Sequence, residues 1–132
     1  MEKENENPIN PVVWFEIYVD DIARARTFYE KVLDIKMGNM ADPNNSDIQM
    51  YSFPMHMDKP NASGALVKME GFKPGGNGTI VYFDCRDCST EDSRVAESGG
   101  KILQGKTQIG EHGFISLCID TEGNTFGLHS MR

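Results

Sequence analysis

Residues 14–32 read WFEIYVDDIARARTFYEKV, a strand that runs through a pair of aspartates straight into an amphipathic helix. Alternation over residues 12–19 places Phe15, Ile17 and Val19 on one face and Trp14, Glu16 and Tyr18 on the other, as the two-residue period of a strand requires. The first set is expected to pack on the helix. Asp20 and Asp21 are helix N-cap residues by type. Beyond them Ile22, Ala25, Phe28, Tyr29 and Val32 recur on one helical stripe, from which Arg24, Arg26, Glu30 and Lys31 fall away. The stripe is expected to bury on a sheet.

Working outward, residues 35–40 read as a short strand, DPNNS at 42–46 as a turn, and residues 48–53 as another strand. Residues 54–63 read as a loop, 64–69 as a fourth strand, and the Gly-rich 71–78 as a linker. The pattern then returns: a strand at 79–85, a capping box of Ser89 with Asp92 opening a helix to about residue 98, a stop at Gly99 and Gly100, and strands at 101–104, 113–119 and 124–130. EGN at 122–124 is the expected hairpin turn between the last two strands. Superposing Asp21 on Asp87 brings Val19 over Cys85 and Ile17 over Phe83, so the repeat is one of pattern. The expected fold is α+β: two βαβββ modules, residues 12–70 and 79–131, forming a curved mixed sheet with a concave cleft and helices outside. Residues 1–11 are expected to be a flexible N-terminus to one domain spanning 12–132.

The bulk properties narrow the function. At 132 residues there is room for one domain's core. A net charge of −7 without Lys/Arg clusters argues against a nucleic-acid partner. The charge either favours neutral or cationic ligands or serves solubility. The first ten residues lack the apolar run of a signal peptide, and no stretch has the length of a membrane span. Three cysteines, an odd number, fit reduced thiols in a cytoplasm.

The strand ending in Val19-Asp20-Asp21, Phe28-Tyr29, AESGGKIL at 96–103 and IDTEGNTFGL at 119–128 together resemble the vicinal oxygen chelate superfamily, the glyoxalase, bleomycin-resistance and extradiol-dioxygenase relatives. The resemblance covers both modules and implies the same paired βαβββ architecture, a small-molecule ligand in the cleft, and assembly as a homodimer. Metal-dependent members hold a divalent ion with His, Gln and Glu side chains. The corresponding positions here carry Trp14, Ile80 and Gly127, and the 64–69 strand offers only Glu70 at its end. An indole, an alkyl group and a glycine supply no lone pair to a hard cation. The resemblance, with these departures, implies no metal and no other cofactor.

Parity with Trp14 then nominates the residues that line the concave side: Glu16, Tyr18, Ile80, Tyr82, Asp84, Phe114, Ser116, Thr125 and His129. The opposite faces carry Phe15, Ile17, Val81, Phe83, Ile115, Leu117, Phe126 and Leu128, a helix-packed core. Glu16 beside Trp14 is a carboxylate suited to proton transfer or to gripping a cationic ligand, or else one simply paired with a neighbouring Arg or Tyr. His129, His112 and His56 are each able to act as a base near neutral pH, and each is equally explained by a surface or hydrogen-bonding role. Met50, Met55 and Met57 with Phe53 form a soft apolar segment that either caps a pocket or fills the core. Cys85 and Cys88 have CxxC spacing without a second pair to complete a zinc site. GGNG at 75–78 lacks the lysine and the strand-to-helix context of a phosphate loop.

The leading expectation is a metal-free, small-molecule-binding protein. The alternative is a glyoxalase-type lyase or isomerase using Glu16 with His129 as acid and base, or an atypical metal set such as Glu16, His112 and His129.

Overall fold

Two aspartates sixty-six residues apart open the two helices. In the computed structural model, which describes residues 10–132, Asp21 caps α1 (Ile22–Leu33) by accepting the Arg24 N–H at 3.0 Å. Asp87 caps α2 (Cys88–Asp92) by accepting the Ser89 N–H at 3.0 Å. Both caps have extended backbone while the next residue turns helical, the N-cap geometry that satisfies an orphan helix donor. The second helix therefore starts two positions earlier than a Ser89 capping box implies. The described residues cluster into two compact units, Trp14–Ile80 and Val81–Arg132 with residues 10–13.

The first module runs β1 (Val12–Tyr18), α1, β2 (Gly38–Asn39), β3 (Ile48–Ser52) and β4 (Ser63–Met69), in the spatial order β2-β3-β4-β1. β1 lies parallel to β4, and the other pairs are antiparallel. The second module repeats this: β5 (Thr79–Asp84), α2, β6 (Lys101–Gln108), β7 (Phe114–Ile119) and β8 (Thr125–Ser130), ordered β5-β8-β7-β6 with β5 parallel to β8. A parallel first and last strand needs a crossover, which is the helix in each case. The fold is α+β, two βαβββ modules, as the pattern implied.

Phe15, Ile17 and Val19 pack with Ile22, Ala25 and Tyr29 of α1 around Met37, Phe53 and Leu66. Phe28 and Val32, expected in the same stripe, are instead 57% and 61% exposed. Phe28 lies one position before Tyr29, about 100° round the axis from it, and meets the edge of the Tyr29 ring at 5.1 Å. Val32, seven residues after Ala25 and in line with it, stands in the last turn of the helix, which ends at Leu33. The strand expected at 35–40 shrinks to Gly38–Asn39 because its start is tied to the helix. The Ile35 N–H bonds the Glu30 carbonyl, and the Met37 N–H bonds the Glu30 carboxylate at 2.9 Å.

In the second module Phe83, Val95, Phe114 and Phe126 pack on Cys85, Cys88, Cys118 and Leu128. α2 ends at Asp92 rather than near residue 98, giving way to tighter turns and a 3₁₀ turn at Ala96–Ser98. The Ser93 hydroxyl bonds the Thr90 carbonyl at 2.7 Å, the kind of local competition that disfavours a helix interior. β6 extends to Gln108 with two register shifts. The flexible N-terminus expected over residues 1–11 lies largely outside the described residues. Pro11 is already engaged, its carbonyl accepting the Asp84 N–H at 2.9 Å.

Candidate functional site

On the face of β1 turned from the helix, Glu16 is gripped from both sides along its own strand. The Trp14 indole N–H donates to one carboxylate oxygen at 3.2 Å and the Tyr18 hydroxyl to the other at 2.8 Å. Side chains two apart on a strand share a face, so the spacing alone brings the three together. Tyr18 is 5% exposed and stacks on Phe72 at 4.8 Å with an interplanar angle of 23°. Phe72, in the stretch read as a linker, is the one member of this group that sequence reasoning passed over. An aromatic among Gly, Pro and Asn was its only signal. Ile80, at the start of β5, is fully buried.

In the second module, β5 and β8 place Tyr82 beside Gly127 and Asp84 beside His129. The Tyr82 ring fills the space that any side chain at Gly127 would need. His129 Nε2 lies 2.6 Å from the His112 carbonyl oxygen. A carbonyl only accepts, so Nε2 carries the proton, and in the neutral ring Nδ1 is left as a lone-pair nitrogen. Thr125 shares this face, since it precedes Phe126 in β8 and the faces alternate. His56 lies in an exposed loop where its carbonyl closes a turn with Lys59.

Phe114 and Ser116 belong to the other face, contrary to expectation. Phe114 packs in the helix-side cluster. Ser116 is fully buried and donates to the Asp92 carboxylate of α2 at 2.8 Å, with its oxygen 3.6 Å from Cys88 Sγ. Ile115 and Leu117, opposite His129 and Gly127 in the ladder, take the face expected of Phe114 and Ser116. The reason is local. Ser116, Leu117 and Cys118 are consecutive and all buried, so the strand is apolar on both sides and its alternation carries no phase.

The metal positions fail a geometric test as well as a chemical one. The Trp14 indole is engaged with Glu16, Ile80 is a buried alkyl group, and a Glu or His at 127 would collide with Tyr82. Among the described residues no three His, Cys, Asp or Glu side chains gather as a metal-holding group, so Glu16, His112 and His129 are not brought together as one. The residues present do not fit the metal that metal-dependent proteins of the resembled superfamily hold.

The thiols form part of the core. Cys85, Cys88 and Cys118 are all free and buried, and burial, with Asp92 and Cys88 nearby, pushes the Cys118 thiol up to about 11. A hydrogen bond from Lys106 at 2.9 Å, reinforced by Ser89, holds Asp87 down at about 2. Lys106 also sits over the Phe114 ring at 4.6 Å. Of the Met-rich segment, Phe53 is core, while Met55 and Met57 are 45% and 96% exposed.

This architecture is similar to that of solved methylmalonyl-CoA epimerases. Residues 12–50 match the family model described as bleomycin resistance protein-like N-terminal. A Streptomyces coelicolor methylmalonyl-CoA epimerase variant, in complex with 2-nitronate-propionyl-CoA, superposes with a TM-score of 0.62 at 12% identity, covering 91% of this chain and 96% of that one. A hypothetical protein from Bacillus halodurans gives 0.65 at 12% identity, with 92% and 94% covered. The methylmalonyl-CoA epimerase of Mycobacterium tuberculosis gives 0.63 at 13%, with 92% and 88% covered. No curated protein sequence matches the chain. Identities this low carry the fold and not the activity. Among the described residues no helix is long and apolar enough to cross a membrane.

Proposed function

We propose that this chain binds a small organic ligand without a metal ion, as a protein of the glyoxalase/bleomycin-resistance type. The carrying observation is Glu16, whose carboxylate is fixed by Tyr18 and by Trp14, the residue that stands where a metal-using relative places its first ligand. A carboxylate oriented by two donors, flanked by an indole and a phenol, offers a cationic or planar ligand both charge and ring faces. Solved proteins of the same fold include epimerases holding CoA compounds, which supports an organic molecule as ligand. The protein acts as a homodimer in the cytoplasm, a reading supported by the resemblance and by three reduced thiols. The test is a thermal-shift screen of planar and cationic compounds in EDTA. Stabilisation that disappears in Glu16→Gln is expected, and no shift across a broad library overturns the reading.

A second reading, a glyoxalase-type isomerase or lyase, is favoured by His129. Its Nε2–H is committed to the His112 carbonyl, which orients Nδ1 as a base. Turnover in a methylglyoxal–glutathione assay that survives EDTA and is lost in His129→Ala supports this reading. Metal-dependent turnover removes both.

A further inference from the structure

A cavity of about 360 Å³ lies within the first module, at the ends of β1 and β4 and the beginning of β3. Its charged lining is mixed: Asp20, Asp47 and Glu70 against Lys68 and Lys73, with Phe72 as an aromatic wall. The volume is that of a small-molecule pocket. None of the five charged side chains makes a side-chain hydrogen bond or ion pair among the described residues, although both signs are present round one space. Phe72 is held rigid because its ring is stacked on Tyr18, itself fastened to Glu16. The wall is therefore fixed while the charges round it are uncommitted.

We propose that this cavity is a binding site for a small zwitterion. A cationic nitrogen faces the three carboxylates, an anionic oxygen faces the two lysines, and a flat or apolar part lies on Phe72. The pattern of charge argues for this class. A simple amine leaves both ammonium groups without a counter-charge, and a simple acid leaves three carboxylates so; only a ligand carrying both signs complements the whole lining. The site does not depend on the reading of Glu16 as a ligand contact.

Three probes of one skeleton test it: L-phenylalanine, phenethylamine, which lacks the carboxylate, and 3-phenylpropionate, which lacks the amine. Backbone-amide NMR of residues 68–73 reports binding. Phenylalanine is expected to shift these amides and to bind at least about five-fold more tightly than either analogue, the scale of one exposed ion pair. Lys68→Gln/Lys73→Gln should erase its advantage over the amine, and Asp20→Asn/Asp47→Asn its advantage over the acid. A misfolded variant loses all three probes together and cannot produce this crossed pattern. Absence of shifts with phenylalanine, equal affinity for the three probes, or equal weakening of all three by both double variants when their amide spectra stay as dispersed as the parent's overturns the proposal. Retained phenylalanine binding in Glu16→Gln separates this site from the ligand face of β1.

Discussion

The Tyr18 hydroxyl donates to the Glu16 carboxylate at 2.8 Å while its ring stacks on Phe72. One side chain thus couples the charged face of β1 to the segment after β4. Tyr18→Phe keeps the ring and removes only the donor. A hydrogen bond to a charged group is worth about 1.5–3 kcal/mol, and this one is only partly buried, so a loss near 1.5 kcal/mol is expected in urea denaturation. A loss below about 0.5 kcal/mol would mean that water replaces the hydroxyl without cost.

Gly127 is required by its neighbour, since any side chain there meets the Tyr82 ring. Gly127→Ala should cost about 1–3 kcal/mol, the range for overpacking. Adding Tyr82→Ala should recover part of that, so the double variant falls short of the sum of the singles. Additive losses would show that the clash is relieved elsewhere.

Cys85, Cys88 and Cys118 are buried, and burial raises the Cys118 thiol to about 11. The thiolate is the reactive form, so iodoacetamide at pH 8 should leave all three unmodified in the native protein and label all three in urea. Rapid native labelling of one of them would reveal an accessible or activated thiol.

Asp87 links stability to pH. Lys106 and Ser89 lower its carboxyl from 3.8 to about 2, so the folded state favours the ionised form. Its contribution is full above 3.8 and is lost as pH falls through about 2. Lys106→Met should flatten the acid limb of the stability curve over that window while leaving its shape near neutrality unchanged. An acid limb as steep as in the parent would assign the acid loss to other carboxylates.

Phe28 is exposed despite its place in an apolar pattern. Phe28→Ser should therefore change the stability of the isolated chain by no more than about 0.5 kcal/mol, measured by denaturation at a concentration where light scattering reports monomer. A larger loss in the monomer would place the ring in the core.

How much of this was legible in the sequence depended on whether a periodic signal had one clear phase. β1 and α1 were readable because Phe15, Ile17 and Val19 contrast with Glu16 at period two, and Asp21 marks the change to helical spacing. The Trp14–Glu16–Tyr18 triplet followed from the same alternation, including the possibility that Glu16 was merely paired with a tyrosine. β7 was not readable in this way, because its two faces are equally apolar and nothing local decides whether Ser116 looks toward α2. Phe72 belongs to no repeat at all. Its role comes from Tyr18, more than fifty residues earlier, and only a contact map reveals it.

The Tyr82–Gly127 contact also bears on which sequences lie within reach of this one. Introducing a metal-holding carboxylate at 127 would first meet the tyrosine ring, and trimming the ring first would leave a hole beside a glycine that supplies nothing to fill it. Either order passes through a destabilised intermediate, so the two positions form an epistatic lock. A selection for metal-dependent chemistry starting from this chain would have to change both at once, or change Tyr82 in a background with stability to spare.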